Sequence, residues 1–139
     1  MREDGRQALA VDASSSLEDR TIDITTIRRR SGKPRRIEIV FYQLGDEIYL
    51  SGIPAPTTRN WLANLAAHAQ FTFHLKHDVV ADLPATATVI VDPAERRRVL
   101  AAFVEEFNRR NGHRDSPWPK AVLDEWVQYS PLAKVTFQG

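Results

Sequence analysis

Nine residues between two strand-like runs, Arg28 to Arg36, read RRRSGKPRR, and six of them are cationic. On the upstream side, Thr21–Ile27, Ile22 and Ile24 alternate with Asp23 and Thr25. On the downstream side Ile37, Ile39 and Phe41 alternate with Glu38, Val40 and Tyr42. Period-two alternation marks a half-buried strand, and two such runs at this separation predict a hairpin. A Ser31-Gly32 tip brings backbone N–H groups into the open, with five arginines and a lysine around them. That combination suits a phosphate or another oligoanion. Read structurally, it is a solvated basic turn.

The pattern continues in the antiparallel sense. Leu44-Gly45-Asp46-Glu47 is a turn and Ile48–Ser51 a third strand, each connection being too short for a parallel crossover. Gly52-Ile53-Pro54-Ala55-Pro56 breaks the run, and Thr57 or Thr58 can cap a helix carrying Trp61, Leu62, Leu65 and Ala66. Strands follow over Gln70–Lys76 and over residues 79–91, where Pro84 indicates an edge, a bulge or a bend. Asp92 at N-cap, Pro93 at N1 and Glu95 at N3 then open a helix that ends at Asn111-Gly112. Its buried side is Val99, Leu100, Phe103, Val104 and Phe107. Ser116-Pro117 opens a last helix with Val122, Leu123, Trp126 and Tyr129, and Leu132–Phe137 returns as a strand. This order excludes a doubly wound sheet, which needs repeated crossover helices. It predicts a mainly β fold with appended helices, a six-stranded antiparallel barrel.

At 139 residues and 42% hydrophobic content, one domain with its own core is expected, over residues 21–139, after a flexible arm over residues 1–20. Net charge is only +1, so the basic cluster is local; a nucleic-acid binder more often carries a broad positive excess. No exposed aromatic platform accompanies the arginines, which also argues against RNA. With no cysteine, disulfides, thiolate metal sites and thiol catalysis are excluded. No apolar run spans a bilayer, and the polar start has no secretory h-region. The expected location is cytoplasmic.

Thr25–Arg36 (TTIRRRSGKPRR), Ser51-Gly52, Trp61-Leu62-Ala63-Asn64-Leu65 and the ending Ser130–Phe137 together resemble the deazaflavin-dependent nitroreductase family. That family belongs to the flavin and deazaflavin oxidoreductases built on a split β-barrel, and the resemblance runs from about Thr21 to Phe137. It implies that Arg29, Arg30, Ser31, Lys33 and Arg35 surround a cofactor phosphate. It also implies that the loop starting at Ser51 and Gly52 contacts the ring and tail of the cofactor. Where such relatives carry Ser-Lys-Gly-Gly this chain has Ser51-Gly52-Ile53-Pro54, leaving Arg59 as the basic group that could swing in. The implied cofactor is the deazaflavin coenzyme F420, with FMN as the alternative. The implied partner is a small-molecule acceptor, and a homodimer is a common arrangement of such barrels.

Independent chemistry is sparse, as expected where a flavin-type cofactor brings its own hydride chemistry. Glu105 and Glu106 are expected on a solvated helix face, Glu105 pairing with Arg109. His74 and His77, three apart on a strand and its turn, point to different sides and make no metal site. Trp61 is read as core, with a cofactor wall as the other possibility. Trp118, Trp126 and Tyr129 fall in a region that borders the substrate pocket in the family, making Tyr129 a candidate substrate contact or an anchor for the last helix. The reading is a reductase passing hydride to a quinone, enone or nitro compound. The rival is a non-catalytic barrel holding a tetrapyrrole, a lipid or another anionic ligand.

Overall fold

The computed structural model describes Leu9 and residues 20–77, 79–111 and 120–138. The strands are β1 (Thr21–Ile27), β2 (Pro34–Leu44), β3 (Glu47–Ser51), β4 (Gln70–Lys76), β5 (Val80–Val89) and β6 (Leu132–Phe137). All pairings are antiparallel, in the order β1-β2-β3-β6-β5-β4, and the β1–β4 pairing closes the ring. The fold is the six-stranded antiparallel barrel that the strand pattern predicts, of the kind the family resemblance implies. Three helices lie outside it among the described residues: α1 (Asn60–Ala67), α2 (Pro93–Asn111) and α3 (Leu123–Tyr129). None of the described helices is long and apolar enough to cross a membrane.

The basic turn closes as a tight hairpin. Ile27 lies opposite Pro34 in the register, Arg28 donates its N–H to Lys33 O at 2.9 Å, and Gly32 donates to Arg28 O at 2.9 Å. Gly32 sits at φ +72, a left-handed conformation that glycine adopts without a Cβ penalty. The Ser31 hydroxyl accepts the Lys33 N–H at 3.2 Å and stiffens the tip.

Two apolar clusters hold the molecule together. Ile22, Ile24, Phe41, Leu50 and Phe73 fill the barrel, with Trp61 and Leu65 of α1 among them. Outside, Tyr49 and Leu132 of the wall meet Val99, Leu100 and Phe103 of α2 and Trp126 of α3. The Tyr42 ring stacks on Phe103 with centroids 4.5 Å apart. Asp92 caps α2 as its sequence predicts, its Oδ2 accepting the Glu95 N–H at 2.9 Å.

Some expectations need amendment. Glu106 is not on a solvated face: it is half-buried and pairs with Arg20 and Arg110, because the last turns of α2 lean on the barrel. Only Glu105 makes the exposed pair, with Arg109 at 2.7 Å. β5 ends at Val89, and α3 begins at Leu123 with Val122 as an exposed N-cap residue. Residues 116–119, with Trp118, lie outside the described residues. So do residues 1–8 and 10–19 of the expected arm, while Leu9 is buried in the barrel cluster. Pro84 sits where the β5–β6 pairing begins: Ala85 lies opposite Phe137 and Pro84 O accepts the Gln138 N–H at 3.1 Å, so that flank of β5 is an edge only upstream of the proline.

Candidate functional site

Two clefts flank residues 55–59, between the hairpin and α3. The first, of about 370 Å³, is lined by Thr26 and Arg35 of the hairpin and by Arg59, Asn60, Trp61 and Asn64 around α1. Arg35 stands opposite Thr26 in the β1–β2 register, which places it at the barrel mouth. Arg59 is the N-cap of α1 in extended conformation (φ −66, ψ 143) and supplies no side-chain cap. The helix bonds begin with Ala63 N–H to Arg59 O at 3.0 Å. The N–H groups before that one have no helical acceptor and carry the positive end of the helix dipole.

Asn64 locks this arrangement. Its Oδ1 accepts from the Arg29 N–H at 3.2 Å and from Arg29 Nη1 at 3.1 Å. Its Nδ2 donates to Thr26 Oγ1 at 3.3 Å, and the residue is 3% exposed. An arginine bonded to a neutral amide keeps its charge uncompensated. Arg36 differs: its Nε pairs with Asp23 at 2.9 Å, on the outer face of the barrel. Arg59 donates from Nη2 to Ile53 O at 3.3 Å, while its Nε is shut off from solvent with no partner.

The second cleft, of about 420 Å³, shares Ala55, Thr57, Thr58 and Arg59 with the first and reaches Arg96, Tyr129 and Ser130. Arg96 of α2 clamps its far side. Nε donates to Val127 O at 2.9 Å and Nη1 to Ile90 O at 3.1 Å, while Nη2 reaches Ser130 O at 2.6 Å and Trp126 O at 3.4 Å. Burial pulls the Arg96 pKa below the usual arginine range. Tyr129 is 47% exposed on this cleft, and its carbonyl accepts the Ala55 N–H at 3.3 Å, tying α3 to the shared wall.

The structure therefore brings Arg35, Arg59 and Tyr129 around one pair of clefts, while Arg29 lines neither and reaches them only through Asn64. Arg30, Ser31 and Lys33 stay on the exposed hairpin tip. Ser51 is buried, its hydroxyl donating to Pro131 O at 2.8 Å, and Gly52 lies beside the Pro131 ring; neither lines either cleft. Trp61 is both barrel core and cleft wall. Asn64, Arg96 and Ser130 carry roles that motif reading did not assign. Asn64 had a signal, since a polar amide shares the buried face of α1 with Trp61 and Leu65. Away from the clefts, His74 joins Thr25 Oγ1 at 2.7 Å and Asp82 Oδ1 at 2.6 Å as a cross-strand bracket. That bond holds the Asp82 carboxyl below its usual range.

Neither a protein-family profile nor a curated protein sequence matches the chain. Solved structures do. A conserved hypothetical protein of Mycobacterium tuberculosis shares the fold at TM-score 0.63 and 18% identity, over 100% of this chain and 82% of that one. An F420-H2 dependent reductase matches at TM-score 0.53 and 17% identity, over 84% and 93%. A FAD-binding protein of Mesorhizobium loti matches at TM-score 0.60 and 7% identity, over 100% and 91%. At these identities the likeness is one of fold.

Proposed function

We propose that the chain is an oxidoreductase of the deazaflavin and flavin type. The observation that carries this reading is the convergence of Arg35, Arg59 and the open end of α1 on one cleft that continues into a second. An anion fits there. The orphaned Nε of Arg59 lacks an acceptor, and the first N–H groups of α1 and the Arg35 guanidinium face the same space. The cofactor phosphate is held in the first cleft, with Arg29, Arg30, Ser31 and Lys33 of the hairpin beside a longer anionic tail. Its ring lies over the wall between Ser51 and Arg59. When bound, the cofactor supplies the hydride. The protein then has to bind, orient and exclude water, and arginines remote from the reacting atom provide binding energy for that purpose.

The second cleft receives the acceptor, with Tyr129 at its rim as hydrogen-bond donor to a carbonyl, quinone or nitro oxygen. The fold is one on which an F420-H2 dependent reductase and a FAD-binding protein are built, which supports a cofactor of this class. Between the two candidates the run of cations favours the deazaflavin coenzyme, whose phosphodiester and polyglutamate tail give it the longer charge track. A fluorescence titration against reduced F420 and FMN tests this. Tighter F420 binding is expected, weakening as salt rises. Tighter FMN binding would exchange the cofactor and keep the reductase. Binding of neither at micromolar concentration would overturn it in favour of a ligand carrier.

A further inference from the structure

The larger cleft carries more positive charge than its own walls neutralise. Arg96 has five N–H donors, and every acceptor it meets is a main-chain carbonyl. One N–H of its Nη1 is left over. Arg59, on the opposite wall, has a single carbonyl partner, and among the described residues neither arginine meets a carboxylate. Ser130 adds a third donor. It is 4% exposed, lines the cleft and has no partner for its hydroxyl. Among the described residues no Asp or Glu lines the space, and its floor is Leu62, Ala66 and Ile90. A buried hydroxyl without an acceptor and a guanidinium without a carboxylate partner are costly in a folded protein unless something completes them.

We infer that this cleft binds a small monoanion with an apolar body, a carboxylate for which trans-cinnamate is the probe, its anionic end toward Arg96 and Ser130 and its body on the Leu62–Ile90 floor. A neutral isostere meets only the floor. Arg96 is the residue that discriminates, because Arg59 also borders the phosphate cleft whereas Arg96 does not. As the acceptor subsite, the assignment rests on the reductase reading and narrows the acceptors to acidic ones. As a binding site it stands without a cofactor.

Calorimetric titration of the whole chain, with no cofactor added, compares trans-cinnamate with neutral cinnamamide. Cinnamate is expected to bind about tenfold tighter or more, the scale of one charge-assisted contact. Arg96→Gln is expected to erase that preference. Ala66→Trp, on an exposed position of α1, fills the floor and is expected to weaken both ligands about tenfold or more. Should Arg96→Gln fail to fold, the parent preference and Ala66→Trp decide. Equal affinity for acid and amide, or cinnamate binding indifferent to Ala66→Trp, would sink the assignment. A preserved cinnamate preference in a chain that binds neither F420 nor FMN would reject the reductase and keep this site.

Discussion

Asn64 holds together what neighbouring arginines would otherwise push apart. Its single amide accepts twice from Arg29 and donates once to Thr26, fixing α1 against a hairpin crowded with like charge. Its loss should differ in kind from that of a cleft arginine. Arg35→Ala and Arg30→Ala are each expected to weaken cofactor binding by about 1–3 kcal/mol, the range for a hydrogen bond to a charged group, with little change in melting temperature. Asn64→Ala is expected to cost about 1–3 kcal/mol of stability, because it strands buried donors and acceptors, and to weaken the cofactor as well. Paired thermal melts and fluorescence titrations separate the two patterns. Equal melting losses in all three variants would mean that the hairpin charges are structural. Charge and periodicity single out the arginines in the sequence. A lone asparagine or serine has no such mark until the fold shows what it faces.

At the scale of elements, local chemistry carried much of the fold. Asp92, Pro93 and Glu95 start α2 where their types require it, and the Val99–Phe103 spacing selects the face it buries. The hairpin is equally local. What stayed hidden were contacts between distant elements, such as Arg96 on the carbonyls of α3 and Glu106 on Arg20, since neither a carbonyl clamp nor a tertiary ion pair leaves a periodic trace. Ser51 shows the same limit: its motif position suggests a ligand contact, while its hydroxyl bonds Pro131, 80 residues away. Two substitutions in α2 test the balance of local and tertiary support. Asp92→Ala removes a cap and is expected to cost about 1 kcal/mol. Phe103→Ala opens a hole between Tyr42 and Tyr49 and is expected to cost about 3–5 kcal/mol. Urea denaturation measures both, and an inversion of that order would mean that the helix is held by its ends rather than its face.

Across the whole molecule, the ring closes at its thinnest pairing. β1 and β4 share three register partners, Asp23–His74, Ile24–Phe73 and Thr25–Thr72, against seven between β1 and β2. Side chains reinforce the seam from outside: Lys76 Nζ meets Asp23 at 2.7 Å, and Thr25 meets His74. The Lys76 bond, followed by the Arg36 bond and against a desolvation cost, holds the Asp23 carboxyl below its ordinary range. Asp23 therefore contributes stability above the unfolded carboxylate pKa and loses it as pH falls through the lower folded value. Lys76, raised by the Asp23 and Glu38 bonds, contributes below its unfolded pKa and loses that as pH rises through the raised one. Asp23→Asn is expected to lower the melting temperature most at neutral pH, the gap to the parent closing in acid; a constant gap across pH would show that the seam does not depend on charge. The same seam also sets a clock. Its strands are separated by the whole of β2, β3 and α1, and β3 waits still longer for β6, so the ring cannot form from neighbours in the chain. The β1–β2 hairpin forms early, and the last act of folding is a search for remote partners, which belongs to the millisecond-to-second regime of non-local β topologies, about a thousandfold slower than helical bundles. A chain still searching has its arginines in place on the finished hairpin before it has a cleft to put them in.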